Sequence, residues 1–294
     1  VHARSRAPAW SALWAARIAH VPFVTTYHGI YNASNPLKRF YNSVMKRGDV
    51  VIANSEWTAA HIEREYKTLP NKPVVIPRGI DLSRFDPAGI PPAKVAALRA
   101  QWGTDERDFV AMLPGRLTRW KGQMLVIEAA AQLKMKHLPR KLRVIFAGDA
   151  QGRNAYEAEL LKRIADTGIA DCVRIVGHIE DMATAYAAAD LVVSASSDPE
   201  AFGRVAAEAS AMARPVIAAD HGGARETVVG NVSGILFPPG NALALADAIE
   251  HVMRITPDAL SDMGRAGRTH IANNYSLERM CCETIGLYRE LLAR

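Results

Sequence analysis

The chain of 294 residues is 49% hydrophobic and 22% charged, values that are typical of globular proteins and exclude extensive disorder. Its length suits two domains of ordinary size or one large domain. The net charge of +6 favours anionic partners such as nucleotide phosphates or an acidic membrane surface, but no run of five or six basic residues occurs, so nucleic acid is not predicted as a partner.

Cysteine usage and hydropathy indicate the class of protein. Cys172, Cys281 and Cys282 lack metal-ligand spacing, and the adjacent pair is poorly placed to bridge itself. A reduced, cytoplasmic protein is therefore expected. No apolar run reaches the roughly 18 residues of a transmembrane helix. Residues 1–6 are typical of the end of a strand, so we expect the chain to begin inside a domain.

The first 81 residues alternate between helix and strand patterns. Apolar residues at Trp10, Leu13, Trp14 and Ile18 have helical spacing, and a strand is predicted at 23–27. The elements predicted next are a helix near 38–45, a strand at 50–53, a helix at 58–66 and a strand at 74–77. This alternation with helix-sized gaps predicts a parallel sheet in a domain at 1–81.

A segment rich in proline and glycine follows, and we expect 82–104 to be a linker and hinge. Alternation then resumes in a second domain at 105–275, ahead of a C-terminal helical segment at 276–294. The predicted strands lie at 110–114, 142–148, 173–177, 191–195, 216–219 and 234–237. The predicted helices lie at 94–102, 123–136, 155–167, 182–188, 202–212, 242–253, 259–270 and 277–292.

A basic loop connects the first strand of the second domain to a helix. It contains Gly115 and Gly122, which permit close backbone approach, and Arg116, Arg119 and Lys121, which can clamp a phosphate. The Gly-x-x-x-x-Gly-Lys-Ser/Thr pattern of P-loops and the Gly-x-Gly-x-x-Gly fingerprint of nicotinamide dinucleotide sites are both absent. By itself the loop fits either a phosphate site or a solvated basic surface.

Two carboxylates flank the predicted start of the helix at 202–212. Glu200 lies in the preceding loop and Glu208 two turns into the helix, which places them about 12 Å apart along the helix axis. A diphosphate with a sugar at one end and a nucleoside at the other has that length, and the helix N-terminus suits an anion. A buried strand–helix–strand unit with one solvated and one capping glutamate fits the same spacing.

Further candidates follow other strands. His28 lies at the carboxyl end of the strand at 23–27, where ligands bind in open α/β sheets, although a lone histidine there is more often structural. Asn54 and Ser55 favour a cap for the next helix. An Asp-x-Asp clamp, a Gly-x-Ser-x-Gly elbow and clustered His or Cys ligands are absent from the sequence, so no metal site is predicted.

Taken together, these loops resemble the retaining glycosyltransferases of the GT-B fold, in the large group-one family. The resemblance rests on Arg116 and Lys121 in Gly-Arg-Leu-x-x-x-Lys-Gly and on Glu200-Ala-Phe-Gly with Glu208, which matches the family's Glu-x-seven-Glu motif. The supporting pieces are His28-Gly29, Asn54-Ser55, 78–81, Gly148-Asp149 and 220–226. The resemblance implies an α/β architecture of two Rossmann-like, doubly wound parallel-sheet domains facing across a cleft, the first of them incomplete.

The resemblance also implies roles at matching positions. Arg116 and Lys121 would hold the donor diphosphate and neutralise it as it leaves, while Glu208 would hydrogen-bond the ribose. Glu200 would contact the donor sugar, and His28 would reach that sugar near the reacting carbon. The remaining donor-binding positions would be Gly115, Gly148, His178, Ala201, Phe202, Gly203 and Arg204.

The implied reaction moves a hexose from a UDP- or GDP-sugar to a glycan or lipid-linked acceptor, with retention of configuration and without a metal or cofactor. Lipopolysaccharide or exopolysaccharide biosynthesis is the expected setting, with peripheral contact at the anionic inner membrane. Family members carry earlier strands that are missing here, so the acceptor-side domain at 1–81 is expected to be partial, with the C-terminal helix packed on it. Two alternatives stay open: a nucleotide-sugar-binding remnant without activity, and a nucleic-acid-binding or membrane-docking protein.

Overall fold

The computed structural model describes residues 1–31, 35–66, 69, 71–152 and 154–293. The chain divides into two compact units, each built around its own parallel sheet. Unit 1 comprises Val1–Gly79, Glu200–Phe202 and Tyr275–Arg294, and unit 2 comprises Ile80–Pro199 and Gly203–Asn274. The predicted α/β class is confirmed.

Unit 1 contains a four-stranded parallel sheet with the order β1-β2-β3-β4. The strands are β1 (His2–Ala3), β2 (Val24–Tyr27), β3 (Val50–Ala53) and β4 (Val74–Val75). The helices are α1 (Arg6–Ile18), α2 (Pro36–Asn42), α3 (Glu56–Glu65) and α12 (Leu277–Leu292). Side chains alternate along the strands, so one face of the sheet packs on α1 and α3 and the opposite face on α12.

Unit 2 contains a six-stranded parallel sheet with the order β10-β9-β8-β5-β6-β7. The strands are β5 (Phe109–Pro114), β6 (Leu142–Ala147), β7 (Val173–Gly177), β8 (Leu191–Ser194), β9 (Val216–Ala219) and β10 (Gly234–Phe237). The helices are α4 (Pro92–Gln101), α5 (Gln123–Leu133), α6 (Asn154–Asp166), α7 (Met182–Ala188), α8 (Arg204–Ala211), α9 (Ala224–Thr227), α10 (Ala242–Arg254) and α11 (Pro257–Asn274).

The strand order of unit 2 creates a topological switch point between β5 and β8. From β5 the chain adds β6 and β7 on one side, then returns to add β8, β9 and β10 on the other. In open parallel sheets, ligands bind outside the carboxyl ends of the strands that flank such a reversal. A ligand site is therefore expected at the loops after β5 and β8.

Some predicted boundaries differ from the structure. The helix predicted at 202–212 begins at Arg204, because Gly203 has the left-handed φ of +78° and cannot continue a right-handed helix. The helix predicted near 259–270 is an 18-residue helix, α11. The segment 82–104 belongs to unit 2 and includes α4; its role as a hinge stays a prediction.

Candidate functional site

The ends of β5 and β6 meet through two glycines. The Gly115 N–H donates to the Ala147 carbonyl at 2.9 Å. A Cβ atom on Gly148 would lie 2.0 Å from the Gly115 carbonyl oxygen, so a side chain is excluded there. Gly115 has a φ of +146°, which glycine adopts without strain. Gly115 and Gly148, both predicted to bind the donor, are therefore brought together at the carboxyl edge of the sheet.

The basic loop separates its three cations. Arg119 makes two hydrogen bonds to Glu159 of α6, at 2.5 and 2.8 Å, and is thereby committed to a surface ion pair. Arg116 is exposed. The side chain of Lys121 passes beside Gly115, and its Cδ atom lies 3.4 Å from where a Cβ atom on Gly115 would stand. The placement of Arg116 and Lys121 for a phosphate stays a prediction.

The base of this loop is fixed by buried contacts. Gln123, the first residue of α5, is fully buried and donates to the Arg116 carbonyl at 2.9 Å. Gly122 packs so closely on the end of β8 that a Cβ atom would lie 2.0 Å from the Ala195 carbonyl oxygen. The Ser197 N–H donates to the Trp120 carbonyl at 2.7 Å. These contacts join the loops after β5 and β8 at the switch point.

Glu208 lies on α8 with its carboxylate buried and both oxygens engaged. Arg204, one turn earlier, donates to Oε1 at 3.0 Å from Nε and 2.5 Å from Nη2. The hydroxyl of Tyr186 on α7 donates to Oε2 at 3.0 Å. A carboxylate offers about four acceptor positions, so a ribose hydroxyl would take the remaining one or displace the half-exposed Arg204. The ribose contact stays a prediction.

The start of α8 offers backbone donors. Gly203 is its N-cap and supplies no side-chain acceptor to the first N–H groups, and the first turn carries no acidic residue. The positive end of the helix dipole therefore favours an anion there. His178 is exposed directly after β7, beside Gly177, which pairs with Gly148. Gly148 and His178 thus follow the adjacent strands β6 and β7.

The predicted Glu200–Glu208 motif is divided between the two units. Glu200, Ala201 and Phe202 belong to unit 1, where the Ala201 carbonyl accepts from Ser55 Oγ at 2.5 Å and Thr58 Oγ1 at 3.1 Å. The separation of about 12 Å inferred from helical rise does not apply, because Glu200 lies outside α8. Ser55 also caps α3 by accepting from the Thr58 N–H, which confirms the predicted cap.

Unit 1 contains a cavity of about 310 Å³ between the sheet and α12 that is open to solvent on one side, and His28 lines it. Arg4 Nε donates to His28 Nε2 at 3.2 Å, so Nδ1 carries the proton of the neutral ring. Burial, followed by the nearby charges of Arg4 and Arg78, lowers the pKa of His28 to about 4. His28 is therefore neutral at pH 7, and its Nδ1–H is the group of the ring that can donate a hydrogen bond.

The described residues contain no cluster of three or more His, Cys, Asp or Glu side chains that could hold a metal ion. Sequence reasoning missed Gln123, Tyr186 and Arg4, the side chains that hold the basic loop, Glu208 and His28. Their partners lie 7, 22 and 24 residues away in the chain. No local pattern in the sequence marks such contacts.

A comparison with known protein families identifies the family to which this chain belongs. A family model described as "Glycosyl transferases group 1" matches residues 94–270, which is more than half of the chain. The chain belongs to the group 1 glycosyl transferases. A second model, "Glycosyltransferase Family 4", matches residues 1–84 of this group 1 glycosyltransferase. The family expected from the motifs is confirmed.

Individual relatives agree with this assignment. A D-inositol 3-phosphate glycosyltransferase of Segniliparus rotundus is 31% identical over 286 residues, which cover 92% of this chain and 62% of the relative. A glycosyltransferase from Rickettsia africae is 35% identical with a TM-score of 0.91, covering 99% of this chain and 76% of that one. HepE from Anabaena, solved with UDP and glucose, is 26% identical with a TM-score of 0.88, covering 98% and 77%.

The group 1 glycosyltransferase described here spans about three fifths of the length of the curated relatives it matches. The likeness to solved glycosyltransferases confirms the predicted GT-B class, with its two parallel-sheet domains of four and six strands. The roles of the individual site residues stay predictions.

Proposed function

We propose that this glycosyltransferase is a retaining hexosyltransferase that uses a UDP- or GDP-sugar and transfers the hexose to a glycan or lipid-linked acceptor. The observation that carries the proposal is the switch point of unit 2, where Arg116, Lys121 and the uncapped start of α8 face one edge of the sheet. The likeness to HepE, which was solved with UDP and glucose, supports a UDP-sugar as the donor.

The proposed chemistry follows from the negative charge that develops on the leaving diphosphate during the reaction. The bond between the anomeric carbon and the diphosphate breaks, and negative charge grows on the leaving diphosphate. Two side-chain cations and the backbone N–H groups of α8 oppose that charge, so the reaction is proposed to proceed without a divalent metal. Same-face attack, with the leaving phosphate as base, would retain the configuration. Neutral His28 would donate a hydrogen bond to the donor sugar.

The decisive experiment pairs two neighbouring arginines. Arg116→Gln removes a proposed diphosphate ligand, whereas Arg119→Gln removes a cation that Glu159 already engages. In a panel of UDP-, GDP- and ADP-sugars with EDTA present, R116Q should lose about 10-fold or more in kcat/KM and R119Q should match the parent. The anomer of the product, read by NMR, tests retention.

Three results would oppose the proposal. Equal losses in both arginine variants would contradict the assignment of the basic loop, and dependence of turnover on added Mg²⁺ would contradict metal independence. Nucleotide-sugar binding without transfer to any acceptor would favour the alternative, a binding protein that lacks transferase activity. Thermal shifts measure that binding directly, because a ligand that binds only the folded state raises the midpoint.

For the acceptor, we propose a lipid-linked glycan at the cytoplasmic face of an anionic membrane, in lipopolysaccharide or exopolysaccharide biosynthesis. Unit 1 supports a membrane surface as the partner, because Trp14 and Ile18 on α1 and Leu37 and Phe40 on α2 are all exposed. The rings of Phe40 and Trp10 lie 5.3 Å apart at a tilt of 31° and connect the two helices. Among the described residues, no helix is both long and apolar enough to cross a membrane.

A further inference from the structure

Arg204 and Glu208 form an ion pair on α8 in the order that is less favourable for helix stability. Arg204 is the first residue of α8, and Glu208 follows four residues later. A pair at this spacing stabilises a helix better when the acidic residue comes first, because each charge then lies nearer the end of the helix dipole with opposite polarity. The observed order places a cation at the positive end of the dipole. Helix stability therefore does not explain Arg204.

A second pair, on α10, has the favourable order. Glu250 precedes Arg254 by four residues, and Arg254 lies in the last turn, where the dipole favours a cation. The two arginine side chains are similarly exposed, at 51% for Arg254 and 55% for Arg204. Arg254 also donates to the His137 carbonyl at 2.8 Å, whereas Glu208 is the one acceptor of Arg204 among the described residues. Arg204 therefore loses fewer contacts than Arg254 if it leaves its carboxylate.

The carboxylate of Glu208 lacks room for both hydroxyls of a ribose while Arg204 is bound to it. Arg204 uses two donors on the same oxygen, Oε1, from Nε at 3.0 Å and from Nη2 at 2.5 Å. The Tyr186 hydroxyl donates to Oε2 at 3.0 Å. A carboxylate has about four acceptor positions, so about one remains. The two neighbouring hydroxyls of a ribose need two positions, and a donor must therefore leave before both can bind.

Arg204 is the donor that can leave. Tyr186 is fully buried and the residue Glu208 is buried, so neither side chain moves without disturbing the core. The side chain of Arg204 is half-exposed and reaches Glu208 from the surface. It also stands at the start of α8, where the donor diphosphate is proposed to bind. An anion at that position would attract the guanidinium and offset the loss of the ion pair.

We propose that Arg204 exchanges its partner when the donor binds, and thereby makes ribose binding depend on the diphosphate. In the free protein the guanidinium occupies Oε1 of Glu208. On binding, the ribose hydroxyls take that oxygen and the guanidinium turns to the diphosphate at the start of α8. A nucleoside without phosphates displaces Arg204 and gives it no new partner, so the exchange selects against nucleosides. This inference rests on the proposed function and assigns specificity to one residue of the same site.

Titration of the full chain with UDP, uridine and 2′,3′-dideoxyuridine tests the exchange, or with the matching guanosine set if the parent binds GDP. Arg204→Met keeps the apolar stem of the side chain and removes its donors. R204M should bind UDP about 10-fold more weakly, because a charge-assisted contact to the diphosphate is lost. It should bind uridine about 3-fold more tightly, because no ion pair has to be broken. The dideoxynucleoside lacks both ribose hydroxyls and should bind parent and variant alike. Calorimetry measures UDP, and NMR measures the weaker nucleosides.

Two further variants serve as controls. Arg254→Met removes an arginine of similar exposure and the same spacing from its glutamate, and should leave the affinities for all three ligands unchanged. Arg204→Lys keeps the charge without the planar fork of donors. R204K should therefore recover part of the UDP affinity that R204M loses.

Opposite changes for UDP and uridine identify the exchange, because a purely structural defect would weaken both ligands. If R204M binds uridine no more tightly than the parent, or keeps the parent's affinity for UDP, the inference is overturned while the proposed function stands. An equal gain for uridine and dideoxyuridine would also overturn it, since the gain would not come from hydroxyls on Glu208. If the parent binds neither UDP nor GDP, the proposed function fails and the inference fails with it.

Discussion

At the scale of one residue, Glu208 makes structural contacts with Arg204 and Tyr186 and is also the residue proposed to bind the ribose. Glu208→Gln keeps an acceptor for Tyr186 but leaves the guanidinium of Arg204 without its counter-charge. Arg204 is 55% exposed, so the loss of stability should be only about 1 kcal/mol. The affinity for UDP should fall about 10-fold, because a charge-assisted hydrogen bond to the ribose is replaced by a neutral one. Urea denaturation and calorimetry measure the two effects.

A matched control for this variant lies on α10. Glu250 accepts from Arg254, four residues later, as Glu208 accepts from Arg204 four residues earlier, and it also pairs with Lys136. It lies on α10, outside the loops after β5 and β8 that flank the switch point. Glu250→Gln should therefore reduce stability to a similar extent and bind UDP like the parent. If E208Q binds UDP unchanged, the assignment of Glu208 to the ribose is wrong.

His28 makes stability depend on pH. Its folded pKa of about 4 lies below its ordinary value of 6.5, so between these values the unfolded state binds more protons. Stability should therefore rise with pH from about 4 to 6.5 and fall as the pH decreases. Because the ring is partly exposed, we expect a contribution of about 1 kcal/mol after solvent screening. His28→Gln should reduce the rise in unfolding free energy between pH 4 and pH 7 by that amount.

Other histidines contribute equally to the pH dependence of stability in the parent and in the His28→Gln variant. Burial also lowers the pKa of His2 and of His61, but both side chains remain in the His28→Gln variant. The difference between parent and variant at each pH isolates the contribution of His28. Identical pH profiles would show that the ring is not desolvated as described.

The site residues that stand in sequence motifs could be predicted, whereas the side chains that contact them in the folded chain could not. Gly115, Arg116, Lys121 and Glu208 stand in short patterns whose chemistry is local. The engagement of Arg119 by Glu159 could not be read in this way, because α6 lies beyond another strand and helix. Only the folded chain shows that Arg119 is already paired with a carboxylate.

At the scale of elements, alternation was sufficient to predict both sheets. The ends of helices were less predictable, because they depend on backbone geometry such as the left-handed Gly203. The exposure of apolar side chains was also not predicted. Trp10, Leu13, Trp14 and Ile18 have the spacing of one helical face. Leu13 is nevertheless buried, while Trp14 and Ile18 are exposed. Helical spacing predicts that residues share a face and does not say what covers that face.

Gly122 tests how the loop after β5 is held against β8. Gly122→Ala places a methyl group 2.0 Å from the Ala195 carbonyl oxygen and also strains a φ of +81°. Gly240→Ala meets the same kind of strain at a φ of +75°, but with no atom within 4 Å. We expect G240A to cost about 1 kcal/mol of unfolding free energy and G122A about 3 kcal/mol or more. Thermal denaturation monitored by circular dichroism compares the two.

The affinity for UDP should also differ between these two variants. Because Gly122 joins the two loops at the switch point, G122A should weaken UDP binding, and G240A should leave it unchanged. Equal stability and equal UDP affinity in both variants would contradict the tight contact between Gly122 and the end of β8.

At the scale of the whole molecule, charge is distributed unevenly along the chain. Residues 1–48 contain seven Lys or Arg residues and no Asp or Glu, which gives them a formal charge of +7. The remaining residues contain 29 basic and 30 acidic side chains and so carry −1, although the whole chain has +6. The entire excess therefore lies in the part of unit 1 that contains α1 and α2. No continuous basic run marks this excess, because its members are spread over the 44 positions from Arg4 to Arg47.

This asymmetry leads to a prediction about membranes. Basic residues near an anionic surface contribute about 1 kcal/mol each, and exposed apolar side chains add to this by insertion. The parent should therefore bind vesicles that contain phosphatidylglycerol, bind neutral phosphatidylcholine vesicles weakly, and lose the difference at high salt. Ile18→Ser with Leu37→Ser removes side chains of residues that are 79% and 82% exposed, and should weaken binding about 10-fold in vesicle sedimentation.

The control removes two exposed apolar side chains from the nearly neutral part of the chain. Met135→Ser with Leu243→Ser changes residues of unit 2 that are 88% and 57% exposed. If binding were a general effect of surface hydrophobicity, both double variants would weaken it equally, and the assignment to α1 and α2 would be wrong. Because the electrostatic attraction comes from residues 1–48, we expect only the first double variant to lose binding. Both variants should keep UDP affinity, since neither alters the switch point of unit 2.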